Sequence, residues 1–352
     1  MKRLMAILLV LAMVVSMAAC KTATEAPATE PEATQEATAT DAPEEGTEPE
    51  TAEAFTCIVS ESAAGAPFSQ LTWRGFEKIE SETGAKVQFV EALEASEFEE
   101  QLRAMAELGA NPIYSMFDGV NLVAAEIAPE YPDTQFILID CNEEINEPNV
   151  TSIVVDSFEP SFVAGLVAAL TTKTGVVGWV GCLDIPVITR FYDGYAAGVK
   201  YANETYGLNV TCEMAYIGDS SDTVKGAETA KLILDKGADV IYHAANEAGL
   251  GVIQACVEKG VKCIGVDEWQ GGVDPLVYWS ALIAINDAVY DSYTRFAAGT
   301  LEAGSINYGI ETGNPIYDDR DYANLDDATK TAVDTLMEGV KGGTVDVFSY
   351  QG

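Results

Sequence analysis

From Phe55 onward, short apolar runs rich in β-branched residues alternate with stretches of helical periodicity, and this alternation narrows the accessible folds most sharply. The runs at 55–60, 87–90, 113–116 and 136–139 read as strands. Between them, Leu71, Phe76 and Ile79 share one helical face. Phe98, Leu102, Met105 and Leu108 share another, and a third helix is expected over 121–130. A second series follows, with strands at 176–180, 210–215, 240–243 and 263–266 and helices near 187–206, 221–236 and 249–259. Strands joined by single helices of about 10–15 residues pair in parallel, because the helix carries the chain back to the same edge of the sheet. The fold class is therefore α/β, with two lobes, each a parallel sheet flanked by helices. Asp184-Ile-Pro186 reads as a helix start, with Asp184 as N-cap and proline in the first turn. A small-residue helix at 160–172 is apolar nearly all round yet too short for a bilayer, so it should be buried where the lobes meet. After a strand at 276–282, helices at 286–298 and 326–339 return the chain across the molecule. The expected division is 55–173 plus about 281–305 for the first lobe and 174–280 plus about 306–352 for the second.

The first 54 residues follow a different logic. Lys2 and Arg3 precede an apolar stretch that exits through small residues to Ala18-Ala19-Cys20. A basic start, a short apolar core and a small-residue exit describe a secretory signal peptide over 1–19, with Cys20 as the lipidated new N-terminus. Residues 21–54 carry ten acidic groups against one lysine and no aromatic side chain. Such a segment buries too little apolar surface to offset its ordering entropy. It reads as a disordered acidic stalk. Residues 20–54 would thus hold the body off a membrane through the lipid on Cys20, on the extracytoplasmic face.

The net charge of −37 argues against a nucleic-acid partner, which requires a basic face. Of the seven cysteines, six lie beyond Cys20, mostly in strand-like apolar contexts. No Cys-x-x-Cys or Cys/His cluster is present, so no metal is expected. A Cys256–Cys263 bridge is one reading of these residues and buried thiols are the other.

Catalytic constellations are absent from the sequence, which shows no nucleophile elbow, Walker loop or H-E-x-x-H helix. No cofactor is implied, and an enzyme is not expected. The lone histidine, His243, ends a strand, where it either faces a pocket or is simply hydrogen-bonded. The acidic run Asp318, Asp319, Asp321, Asp326 and Asp327 lacks the glycine and glutamate of a calcium loop and reads as solvated. The strand-end loops carry aromatics and lone carboxylates. The candidate ligand-binding residues are Phe68, Ser69, Gln70, Asp118, Asp184, Phe191, Asn246, Gly249, Asp267 and Trp269. Aromatic faces sandwich a ring, and carboxylates accept hydrogen bonds from paired hydroxyls.

The segments Gly178-Trp-Val-Gly-Cys-Leu-Asp-Ile-Pro-Val-Ile-Thr-Arg-Phe191 and Gly194-Tyr-Ala-Ala-Gly-Val-Lys-Tyr201 resemble the signature of the basic membrane protein lipoprotein family. His243-Ala-Ala, Gly249-Leu-Gly-Val252, Ile264-Gly-Val-Asp267 and Glu130-Tyr-Pro-Asp133 match the same family, with coverage from Phe55 to about Gly309. The resemblance implies a two-lobed periplasmic-binding-protein type I fold. It also implies the role of a substrate-binding lipoprotein of an ABC importer, with purine nucleoside receptors among its members. Its partners would be a small-molecule ligand, the permease subunits and the membrane, and the protein would be a monomer. On this resemblance Phe68 and Phe191 fall on ring-stacking positions, and Asp267 falls on the carboxylate that accepts ribose hydroxyls. Gly65 and Ser69 stand where the family has base-contacting Asp and Asn, and Ile283 stands at a family lysine. Asp118 replaces an aromatic and Leu122 an acid. A nucleoside or nucleobase-like ligand is the leading expectation. A sugar or other polar metabolite, or a sensor role without transport, is the alternative.

Overall fold

The computed structural model describes residues 55–141, 143 and 145–351. The expected signal peptide, Cys20 and the acidic stalk lie outside the described residues. The first series runs β1 (Phe55–Ser60), α1 (Pro67–Thr83), β2 (Lys86–Glu91), α2 (Phe98–Glu107), β3 (Ile113–Met116), α3 (Asp118–Ile127), β4 (Phe136–Ile139) and β5 (Val150–Val155). The second runs α4 (Phe158–Thr171), β6 (Val176–Gly181), α5 (Pro186–Tyr206), β7 (Thr211–Tyr216), α6 (Thr223–Asp235), β8 (Val240–Ala244), α7 (Gly249–Lys259), β9 (Lys262–Asp267) and β10 (Val277–Leu282). The chain then continues through α8 (Ile285–Ala297), β11 (Gly304–Tyr308), α9 (Asp319–Ala323), α10 (Asp327–Lys341) and a 3₁₀ turn (Val347–Tyr350).

All strand pairings are parallel. One sheet has the order β11-β5-β4-β3-β1-β2 and the other β10-β9-β8-β6-β7. Apart from the added β11, the two orders are the same, with β1 to β5 matching β6 to β10. The strands β3, β4 and β5 are buried along their whole length, as expected of a parallel sheet with helices on both faces. The fold class read from the alternation is the one observed.

Four features differ from the sequence expectation. Strand β5 follows β4 so closely that no intervening helix marks it. Strand β11 sits on the sheet edge with alternating exposure, which leaves only a weak apolar signal. The acidic run at 318–327 is not a loop but α9 and two caps: Asp318 accepts from the Arg320 amide and Asp326 from the Thr329 amide. The N-cap of α5 is Ile185, with no side-chain bond, so Asp184 does not cap it.

Helix α4 explains its own composition. Twelve of its residues are buried, and it packs on α5, β8, β10 and α10, all elements around the second sheet. The approach to α5 is close enough to require glycine: a Cβ at Gly198 would lie 2.0 Å from the Phe162 carbonyl oxygen, and one at Gly165 2.1 Å from that of Tyr195. Because α4 packs on the second sheet, we place the first chain crossing near Asp156 and not after Lys173. The return crossings then fall near Ile283 and between β11 and Tyr317, which bridges Ala281. Gly198→Ala is expected to cost about 2 kcal/mol by forcing α4 and α5 apart. It should appear as a lower urea midpoint at unchanged slope, and an unchanged midpoint would refute the close approach.

The described cysteines are thiols, all buried except the half-buried Cys212; Cys256 and Cys263 are not bonded to each other. Among the described residues, no helix is long and apolar enough to cross a membrane.

Candidate functional site

In parallel α/β sheets, ligands gather at the carboxyl ends of the strands. Here the loops at those ends meet across the two lobes. Arg190 at the start of α5 forms a two-point ion pair with Asp156 at the end of β5, with Nε to Oδ1 at 2.7 Å and Nη2 to Oδ2. On another side, Arg74 of α1 reaches Glu268, just past β9, at 2.6 Å. Both cations therefore already have carboxylate partners.

Four non-glycine residues have positive φ: Phe117 (80°), Asp140 (58°), Asn246 (48°) and Asp267 (66°). Each lies at, or within two residues of, the carboxyl end of a strand, β3, β4, β8 and β9 respectively. Asn and Asp tolerate this region; for the bulky Phe117 it is strained. Strain of this kind persists where the surroundings over-determine it, and it clusters at binding sites. At Asp267 the Glu268 amide donates to the Val266 carbonyl at 2.8 Å, which closes a tight three-residue turn around the aspartate.

The expected residues separate into those the structure brings to this seam and those it uses elsewhere. Phe68 is half-buried on the first turn of α1, its ring 6.0 Å from that of Phe117 and tilted by 53°. Phe191 is 8% exposed, so little of its ring is open. Asp118 begins α3, and Asn246 stands exposed after β8. Asp184 is exposed and lines a hollow of about 480 Å³ with Ile185, Pro186, Thr189, Arg190 and Asp193.

Four expectations are redirected. Ser69 is fully buried, with no partner for its Oγ among the described residues. Gln70 turns back to donate to the Gly65 carbonyl at 3.1 Å. Gly249 serves His243, because a Cβ there would lie 2.4 Å from the imidazole. Trp269 donates through Nε1 to Asp321 at 2.9 Å, and the Arg320 guanidinium covers its ring at 3.6 Å. With Asp267 it lines a cavity of about 280 Å³ that also includes Arg74, Asp287 and Arg320. His243 itself is fully buried at the end of β8. Its Nε2 proton bonds Gln270 Oε1 at 3.0 Å, an oxygen that also accepts the Val266 amide. Burial pushes its pKa down to about 4, so it is neutral and structural.

Two carboxylates stand out electrostatically. Burial pushes Asp267 up to about 6, with Glu268 adding repulsion. Burial also pushes Asp140 up to about 6, with Asp156 and Asp118 adding repulsion. Glu61, after β1, is likewise raised by burial, although the Gly119 and Val120 amides of α3 moderate the rise. Asp140, Asp156, Glu61 and Arg190 are not among the residues expected from sequence. A signal for the first is available there, since Leu138-Ile-Asp140 and Gly265-Val-Asp267 both end a strand with aspartate.

Residues 52–336 match the family model described as ABC transporter substrate-binding protein PnrA-like. The chain is 27% identical over 263 residues to basic membrane protein A2 of Borrelia garinii subsp. bavariensis, covering 73% of this chain and 77% of that protein. It is 25% identical over 296 residues to the ABC transporter nucleoside-binding protein BmpA of Lactococcus lactis, covering 77% and 83%. Its fold is similar to the crystal structure of an ABC transporter solute-binding protein from Aeropyrum pernix K1. The TM-score is 0.70 at 22% identity, over 83% of this chain and 92% of that one.

Proposed function

The chain belongs to the family of PnrA-like substrate-binding proteins of ABC transporters, and from that membership we propose that it captures a nucleoside or nucleobase-like compound between its lobes. Membership itself implies a small-molecule ligand and a permease partner. The observation that carries the finer reading is Asp267, a carboxylate held in a tight left-handed turn at a strand end, where no hydrogen-bond donor among the described residues reaches it. A sugar ring's paired hydroxyls suit such a group, and the aromatic rings of half-buried Phe68 and buried Phe191 suit a planar base. The Lactococcus relative named as nucleoside-binding points the same way. Binding would proceed by hinge closure about the three crossings, without turnover, and the closed form would dock on the permease.

The test is a thermal-shift screen of nucleosides, nucleobases and sugars. A ligand at 100 times its Kd should stabilise the protein by about 2.7 kcal/mol. A clear shift with a sugar alongside none with any nucleoside would end the nucleoside reading.

The monomer is held at the extracytoplasmic face of the membrane by the lipid on Cys20 in this account. Cys20→Ala is expected to move the protein from the membrane fraction to the soluble one. Retention of the variant in the membrane would contradict the anchor.

A further inference from the structure

Apart from β11 the two sheets share one strand order, so each end of β1 to β5 has a counterpart among β6 to β10. Strand β4 corresponds to β9, and β3 to β8. The four positive-φ residues then form two matched pairs: Phe117 with Asn246, and Asp140 with Asp267. The second pair is identical in residue type and shares the left-handed backbone, Asp267 as the last residue of its strand and Asp140 as the residue just after its own. It also shares an environment, because among the described residues no hydrogen-bond donor reaches either carboxylate. A half-buried carboxylate without a donor is costly unless a bound molecule supplies one.

We propose that Asp140 is the first-lobe counterpart of Asp267, a ligand-contacting carboxylate, so that the ligand presents hydrogen-bond donors or a cationic nitrogen to both lobes. This rests on the reading of the seam as the ligand site. An anion is disfavoured by the same arrangement: Arg190 is paired with Asp156, Arg74 with Glu268 and Arg320 with Asp318, while Asp118 adds a further negative charge next to Asp140. Burial raises the affinity of both aspartates for protons, which agrees with carboxylates that lack a donor when the site is empty.

The experiment titrates the full-length protein and its Asp140→Asn and Asp267→Asn variants with adenosine, inosine, guanosine, uridine, AMP, ribose and spermidine. Asparagine tolerates the left-handed backbone, so both variants should fold. Each is expected to weaken the best-bound compound at least about tenfold, a loss typical of one charged hydrogen bond. AMP should bind at least about tenfold more weakly than adenosine, in line with like-charge repulsion. A ribose or polyol winner identifies neutral donors, and spermidine identifies a cation. Either outcome removes the nucleoside reading while the variants still test Asp140. An Asp140→Asn protein that binds within about twofold of wild type, or AMP binding more tightly than adenosine, would overturn the inference. Were no compound to bind, the melting temperature of the ligand-free Asp140→Asn protein decides. It should rise, and a fall would show that Asp140 has a structural partner instead.

Discussion

Asp267→Asn is expected to raise the melting temperature of the ligand-free protein while weakening ligand binding at least about tenfold. The aspartate sits at the end of β9 with a pKa lifted to about 6 from an ordinary 3.8, chiefly by burial. For an acid the sign runs against the usual case. The folded state binds the proton more readily, so the penalty is absent below about pH 4, grows as the pH rises towards 6, and is complete at neutrality. A shift of that size corresponds to about 3 kcal/mol of instability at pH 7. Asparagine keeps the shape and the tolerance for positive φ but removes the charge, so that instability should disappear. A melting point several degrees higher is the scale to expect. The same change removes the acceptor for the ligand's hydroxyls. A variant less stable than wild type would show that the carboxylate has a stabilising role in the empty protein.

The second large effect is on affinity as the pH falls. Above pH 6 Asp267 and Asp140 are ionised and accept hydrogen bonds strongly; below it both take up protons. Donors on the ligand favour the ionised form, so binding and protonation compete. Between pH 7 and 5 the Kd should weaken about tenfold for each aspartate the ligand engages, and up to about a hundredfold for both. His243 does not complicate this window, because burial holds it near 4 and it stays neutral above pH 5. Its own contribution has the opposite direction. Stability is fully present above its ordinary 6.5 and is lost as the pH falls through about 4. Affinity measured at pH 5, 6 and 7 on wild type and Asp267→Asn separates these groups. A pH-independent Kd in wild type would mean that neither aspartate meets the ligand.

Much of the architecture is legible in the sequence because strand and helix periods differ, and the central strands β3, β4 and β8 are buried along their whole length. Strands β5 and β11 are not legible, since one follows β4 without a helix and the other lies on an edge. The lobe to which α4 belongs is equally hidden. An all-apolar helix signals burial but does not say against what, and the answer lies in the glycines of α5. The site is less legible for a related reason. Trp269 reads as a ring-binding aromatic until its indole is seen to reach Asp321, far along the chain. Gly249 reads as a backbone contact to ligand, whereas its missing side chain makes room for His243. Asp140 escapes notice when its strand is read alone. The aspartate that closes both strands is a weak hint in the sequence, and the shared strand order places the two at matching strand ends.

The central claim is capture of a nucleoside between the lobes, and a crystal structure with the best-bound nucleoside tests it most directly. The account predicts the base against Phe68 and Phe191, with the ribose hydroxyls on the carboxylate of Asp267. A nucleoside seated instead in the hollow beside Asp184, with no contact to Asp267, would contradict it.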